Sequence, residues 1–170
     1  FTPRWLPYAS FGWTYSLVGT DWTWYRLSNV LLHAITVVLI YLFFRKLFAS
    51  VWRQRGVETP RHANWFAFAG ASLFAVHPVA VYAVGYLVER SIVLSTLFSV
   101  AFLLSYLEGL HHNRRRWFFV AAIFYFLAVF SKEHSVLIPA LALSLTFLFR
   151  PFNKSTLRPL WAPFALYGLI

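Results

Sequence analysis

The sequence predicts an all-α fold, a polytopic bundle of transmembrane helices with an interfacial helix on the outer membrane surface at its N-terminus. Three observations carry this. Of 170 residues, 60% are hydrophobic and only 12% charged, whereas a soluble domain carries roughly 25% charged residues. So little charge does not cover a water-exposed surface of this size, which excludes a soluble globular enzyme and a disordered chain. Apolar runs then follow one another at about 27–44, 63–76, 91–107, 117–130, 135–149 and 160–170. Finally, the basic residues gather in alternate connections between those runs. The runs are continuous and rich in Leu, Ala and Phe, so they read as helices; lipid leaves a spanning backbone few other ways to satisfy its hydrogen bonds.

The elements follow in order. Residues 1–24 form an outer interfacial segment: Pro3, Pro7 and Gly12 interrupt its apolar character, and Trp5, Trp13, Trp22 and Trp24 read as an aromatic belt. Helices are predicted at about 25–45, 62–77, 88–109, 116–131 and 134–150, with an incomplete one at 159–170. Several apolar runs are only about 14–17 residues long, short of the roughly 20 that cross a bilayer core, so each borrows flanking residues or sits partly inside the bundle. No soluble domain, repeat or secretory leader is evident. There is no methionine, not even at position 1, so the single membrane domain 1–170 reads as a piece of a longer chain.

Orientation comes from charge. Arg45, Lys46, Arg53, Arg55 and Arg61 lie in one connection, Arg114, Arg115 and Arg116 in another, and Arg150, Lys154 and Arg158 in a third. The excess of Lys and Arg places all three on the cytoplasmic side. The same bias accounts for the net charge of +10, so no nucleic-acid partner is implied. Five full crossings and the start of a sixth are expected.

Three polar groups then stand out on the outer side. Arg26, Asn29, His33 and Thr36 fall on one face of the first spanning helix and serve either as glue between helices or as the lining of a polar cavity. In HPVAVYAVGYLVERS, Pro78 ends one helix at His77 and starts another, with Tyr82, Tyr86 and Arg90 at four-residue spacing on one face. Glu89 and Arg90 are charged where the flanking chain is apolar, which points to function. In SKEHSVLIP, Lys132, Glu133 and His134 interrupt two short apolar runs, the arrangement of binding sites built from broken membrane helices. A solvated turn is the other reading of that segment. Ser91, Ser95 and Ser99, and Ala67, Ala71 and Ala75, read as packing seams.

The surface segment PRWLPYASFGWTYSLVG, then DWTWYRLSNVLLH, HPVAVYAVGYLVERS and SKEHSVLIP together resemble the polytopic glycosyltransferases of the C-type superfold. The likeness is greatest to the transmembrane-plus-TPR protein O-mannosyltransferases and their bacterial relatives, and covers about residues 1–150. It implies an enzyme that transfers a sugar from a polyprenyl-phosphate donor to a protein or lipid acceptor on the periplasmic or lumenal face. It also implies a carboxylate base in a first outer loop that would lie before Phe1; Asp21 is the remaining candidate in this segment. Tyr82 stands where the mannosyltransferase pattern has Glu, which points to a bacterial branch with another sugar.

The chemistry of such a donor fits the residues. A phosphosugar at the membrane boundary needs cations at that depth. Arg90 and Lys132 are the candidates for binding its phosphate, Arg as a two-point fork and Lys as a point charge. His77, Tyr82, Glu89, Glu133, His134, Arg26, Asn29 and His33 are supporting polar residues, with Glu89 pairing with a neighbouring cation. His77, Arg90, Lys132, Glu133 and His134 are expected to converge at the outer end. His111–His112 makes no metal site alone. No cofactor is assigned, and a divalent metal is left open. Membrane lipids are expected partners, in a bacterial inner membrane or, for a eukaryotic chain, the endoplasmic reticulum. Two other classes stay open: a transporter or flippase of a lipid-linked or anionic solute, with the same cations along its path, and a non-catalytic docking module.

Overall fold

A computed structural model describes residues 4–149 together with 165, 167 and 168. Every element among the described residues is helical: α1 (Trp5–Val18), α2 (Trp22–Gln54), α3 (Ala63–Ala75), α4 (Pro78–Gly85), α5 (Arg90–His112), α6 (Arg115–Val129) and α7 (Ile138–Phe149), with 3-10 turns at Leu87–Glu89 and Glu133–Leu137. Two helical segments are long and apolar enough to cross a membrane, Trp22–Gln54 and Leu87–His112. α3 and α4, bent by 50° at their junction, add a third if the pair is one span. Within the described residues, α6, at 15 residues, and the helical stretch Glu133–Phe149 are shorter than the roughly 20 that a crossing needs. The predicted segments at 150–158 and 159–170, with Arg150, Lys154 and Arg158, lie outside the described residues apart from 165, 167 and 168.

α2 differs from expectation. The sequence suggests an end near residue 45, but the helix continues to Gln54 and is about 50 Å long. No Gly or Pro interrupts residues 22–55, and the chain turns only at Gly56, where φ is +70°. Arg45, Lys46 and Arg53 therefore lie on the helix rather than in a connection. α1 is likewise one uninterrupted helix: Pro7 sits in its first turn, where no intrahelical donor is lost. The helix expected from about 134 begins as a 3-10 turn, and α geometry starts only at Ile138. Pro139 explains this, because its ring clashes with an α-helical turn upstream.

α2 and α5 run parallel and in register. Asn29 meets Arg90, and Ser50 meets His111, each pair 61 residues apart in the chain. The two contacts are therefore about 31 Å apart along the helices, close to the ~30 Å hydrocarbon thickness of a bilayer. α5 is the central helix: 44% of its most apolar stretch is buried, against 17% for α2. Phe102, Tyr106 and Leu110 of α5 pack with Phe118, Ala121, Ala122 and Tyr125 of α6, with Ala142 of α7 and with Tyr167. Gly109 lets α5 and α6 close on each other, since a Cβ there would meet Phe118 Cε1 at 2.9 Å. The α5–α6 link is short because Asn113 adopts the left-handed conformation, φ 50°, and reverses the chain at once.

α3 buries Ala67 and Ala71, and packs mainly on α2. Its outward Trp65, Phe66, Phe68 and Leu73 are exposed. Apolar surface this continuous is what lipid covers and water does not.

Candidate functional site

The polar groups of interest gather at the end of the bundle formed by α1, the α1–α2 turn, α4 and the two 3-10 turns. Asp21 caps α2 by accepting from Thr23 N at 3.0 Å. The Tyr25 hydroxyl donates to Gly19 O at 2.9 Å, and so pins the α1–α2 turn to α2.

Arg90, the first residue of α5, is 1% exposed. Its guanidinium has five N–H groups and makes five hydrogen bonds. Nε donates to Asn29 Oδ1 at 2.8 Å. Nη2 donates to Tyr25 O at 3.1 Å and Ser28 Oγ at 2.5 Å. Nη1 donates to Ser10 O at 3.4 Å and Thr14 Oγ1 at 3.1 Å. Nε and Nη2 thus face α2, while Nη1 faces α1. The Phe11 ring covers the guanidinium at 4.3 Å. All these partners are neutral, and among the described residues no carboxylate lies at ion-pair distance from Arg90. Its donors are satisfied while its positive charge is not. The two-point phosphate grip expected from sequence is not free in this conformation, because every N–H already has a partner.

The neighbouring residues sort into separate contacts rather than one constellation. Lys132 Nζ lies 3.5 Å from Glu89 Oε2, both partly buried, so Glu89 pairs with a cation as expected. Glu133 turns outward to Arg4, with Nη2–Oε1 at 2.5 Å and Nε–Oε2 at 3.0 Å. The hydrogen bond from Arg4 holds the Glu133 carboxyl down at about 2, and the same contact raises Arg4. His134 Nε2 is 3.4 Å from Ser95 Oγ, which also bonds Ser135 Oγ at 2.6 Å. His77 accepts from Val79 N at 3.3 Å and caps α4.

The other supporting residues hold helices together or face outward. Asn29 is fully buried and also donates to Val84 O at 3.4 Å. His33 Nε2 donates to Ala75 O at 3.1 Å, a carbonyl freed where Pro78 ends α3. Arg26 points outward and has no polar partner among the described residues; the inward face of α2 is Tyr25, Ser28, Asn29 and Thr36 instead. The rings of Tyr82 and Tyr86 lie 4.4 Å apart, tilted by 34°, on the exposed side of α4. They do not share a face with Arg90, because α4 stops at Gly85 and the 3-10 turn redirects the chain.

A cavity of about 230 Å³ lies between α2, α3, α4 and α5, lined in part by His33, Thr36, Phe74, His77, Val79 and Thr96. The Thr36 and Thr96 hydroxyls donate to Leu32 O and Ile92 O of their own helices, so the cavity presents a mostly apolar wall. Among the described residues no cluster of three or more His, Asp or Glu is placed to hold a metal ion.

A second polar cluster sits at the opposite end, where the sequence marks only the basic stretch 111–116 and not its contacts with α2. Lys46 and His112 both pair with Glu108, His112 at 3.2 Å, while Ser50 Oγ meets His111 Nε2 at 2.6 Å. The local signal for Glu108 is His112 four residues on, whereas its other partner, Lys46, is 62 residues away and leaves no spacing in the sequence. Compared with protein families, curated proteins and solved structures, the chain matches none.

Proposed function

We propose that this chain is part of a membrane glycosyltransferase that moves a sugar from a polyprenyl-phosphate donor to a protein or lipid acceptor on the periplasmic or lumenal face. The observation that carries the reading is Arg90, a buried cation with no counter-charge among the described residues. Buried charges are costly unless an opposite charge balances them, and a lipid phosphate at the membrane boundary supplies one. The phosphate approaches by taking over the Nη1 contacts of Ser10 and Thr14, while Nε and Nη2 stay on α2. Lys132, held by Glu89 in the empty site, contributes the second positive charge. Together the two cations stabilise the phosphate as it leaves the sugar. Glu133 remains ionised and tied to Arg4, so it positions α1 and is a poor proton carrier. The base is unassigned.

In this reading the chain is a multi-pass protein of the bacterial inner membrane, or of the endoplasmic reticulum in a eukaryote. α1 lies along the outer interface, and the Arg55 and Asn113 connections face the cytoplasm. One observation favours a second reading, a transporter of lipid-linked solute: the 50° break between α3 and α4, a feature of transport sites. Proteoliposomes of the full-length protein, given a radiolabelled polyprenyl-phosphate sugar, separate the two. Glycosyl transfer yields label on the acceptor with release of polyprenyl phosphate. Transport yields intact donor in the opposite leaflet.

A further inference from the structure

We propose that Arg53, Arg114, Arg115 and Arg116, at the end of the bundle remote from Arg90, form a binding surface for anionic phospholipid headgroups. The register of α2 and α5 sets the depth. Ser50–His111 lies about 31 Å from Asn29–Arg90 along the helix pair. If Arg90 marks one boundary of the hydrocarbon, Ser50 and His111 mark the other. Arg53 is one turn beyond Ser50, and Arg114 follows His111 by three residues, so both fall at the level of the phosphates.

The local contacts fix this arrangement. Ser50–His111 and Lys46–Glu108 hold the end of α2 against the end of α5. The left-handed Asn113 then turns the chain so that three arginines follow immediately. All four arginines are exposed. Glu108 is occupied by Lys46 and His112, and among the described residues no carboxylate pairs with any of the four. Arg116 lies 5.8 Å from the centroid of the Trp117 ring, a partly buried tryptophan at a depth where that residue type anchors helices. Arginine forks match phosphate oxygens in pairs. Four uncompensated forks at headgroup depth favour lipids with net negative charge over zwitterionic ones. The inference rests on α2 and α5 spanning a membrane, not on sugar transfer.

The test uses the full-length protein in detergent, titrated with phosphatidylglycerol or phosphatidylcholine and read by native mass spectrometry. The wild type is expected to prefer phosphatidylglycerol. The triple variant Arg114→Gln, Arg115→Gln, Arg116→Gln should bind it roughly a hundredfold more weakly, at about fivefold per arginine near the membrane surface. Arg26→Gln, which removes an exposed charge at the other end, should leave affinity unchanged. If the triple glutamine variant does not fold, the corresponding triple lysine variant serves, with phosphatidylglycerol preference retained but weakened. An unchanged preference in the triple variant overturns the proposal. So does equal loss in Arg26→Gln, or displacement of the lipid by an equal concentration of inorganic phosphate. Recovery of the protein in the aqueous fraction without detergent would instead refute the spanning of α2 and α5. Sugar transfer is a separate measurement on the same variants.

Discussion

Arg90 Nε donates to Asn29 Oδ1 at 2.8 Å, joining the start of α5 to α2 across 61 residues of chain. Asn29 is the lever of this end of the fold, because its amide nitrogen also reaches Val84 O in α4. Asn29→Leu strands a buried guanidinium N–H and removes the α4 contact. Loss of a hydrogen bond to a charged group costs about 1.5–3 kcal/mol. The variant should show a clearly lower melting temperature than Arg26→Gln, whose side chain is exposed on the same helix.

Thr14→Val tests whether α1 is held through Arg90. It deletes one of the two Nη1 contacts and leaves those to α2 intact. Amide hydrogen exchange across Trp5–Val18 should accelerate about tenfold or more, as one charge-assisted hydrogen bond implies, while exchange in the middle of α5 stays as it was.

Acid should loosen α1 by a second route. Pairing with Arg4 holds Glu133 at about 2, below the ordinary value of 4.5. A depressed carboxyl stabilises the fold fully above its unfolded value, and that contribution is lost as pH falls through the folded one. Trp5, whose ring centroid is 6.4 Å from that of Phe130, reports the contact by fluorescence. A transition between about pH 4.5 and 2 is expected, and Glu133→Gln should abolish it.

Gly109→Val should destabilise the core. Even a Cβ at this position meets Phe118 Cε1 at 2.9 Å, and Phe118 is itself buried. Overpacking of this kind costs about 1–3 kcal/mol. Gly12→Val, with open space around it, should leave the melting temperature almost unchanged.

Much of the helical pattern was legible in the sequence, and the reasons are physical. Pro78 marks the α3–α4 break. The extent of α2 is harder to read, because a run of charge after an apolar stretch resembles a connection. Arg45, Lys46 and Arg53 extend it instead, with no Gly or Pro to stop the chain. At the candidate site, the ionic character of Glu89, Arg90 and Lys132 is visible, as is the pairing of Glu89 with a cation, whereas the partners of Arg90 are not. Arg90 is held by backbone carbonyls and small hydroxyls from α1 and α2, and such contacts leave no spacing in sequence. The inward face of α2 is legible at Asn29, His33 and Thr36 and differs only at its start, where Tyr25 and Ser28 face the bundle and Arg26 faces outward.

Residues 1–170 contain no cysteine, so single thiols introduced there test the orientation in a full-length protein whose remaining cysteines, where present, are replaced by serine. Cysteines at Arg55 and Asn113 should be shielded from an impermeant reagent in intact cells, while one at Asp21 should react. Labelling at Asn113 would reverse the proposed topology.

The most direct test of the phosphate site exploits the opposite charges of Lys132 and Glu89, 3.5 Å apart. Equilibrium binding of a polyprenyl-phosphate sugar is measured on full-length protein in nanodiscs, with thermal stability followed alongside. Lys132→Ala should weaken donor binding about tenfold or more, equivalent to about 1.4 kcal/mol or more. Glu89→Gln, which frees Lys132 from its competitor, should tighten donor binding. If the pair only joins two turns, both variants lose stability and bind donor as the wild type does, and that result would contradict the account.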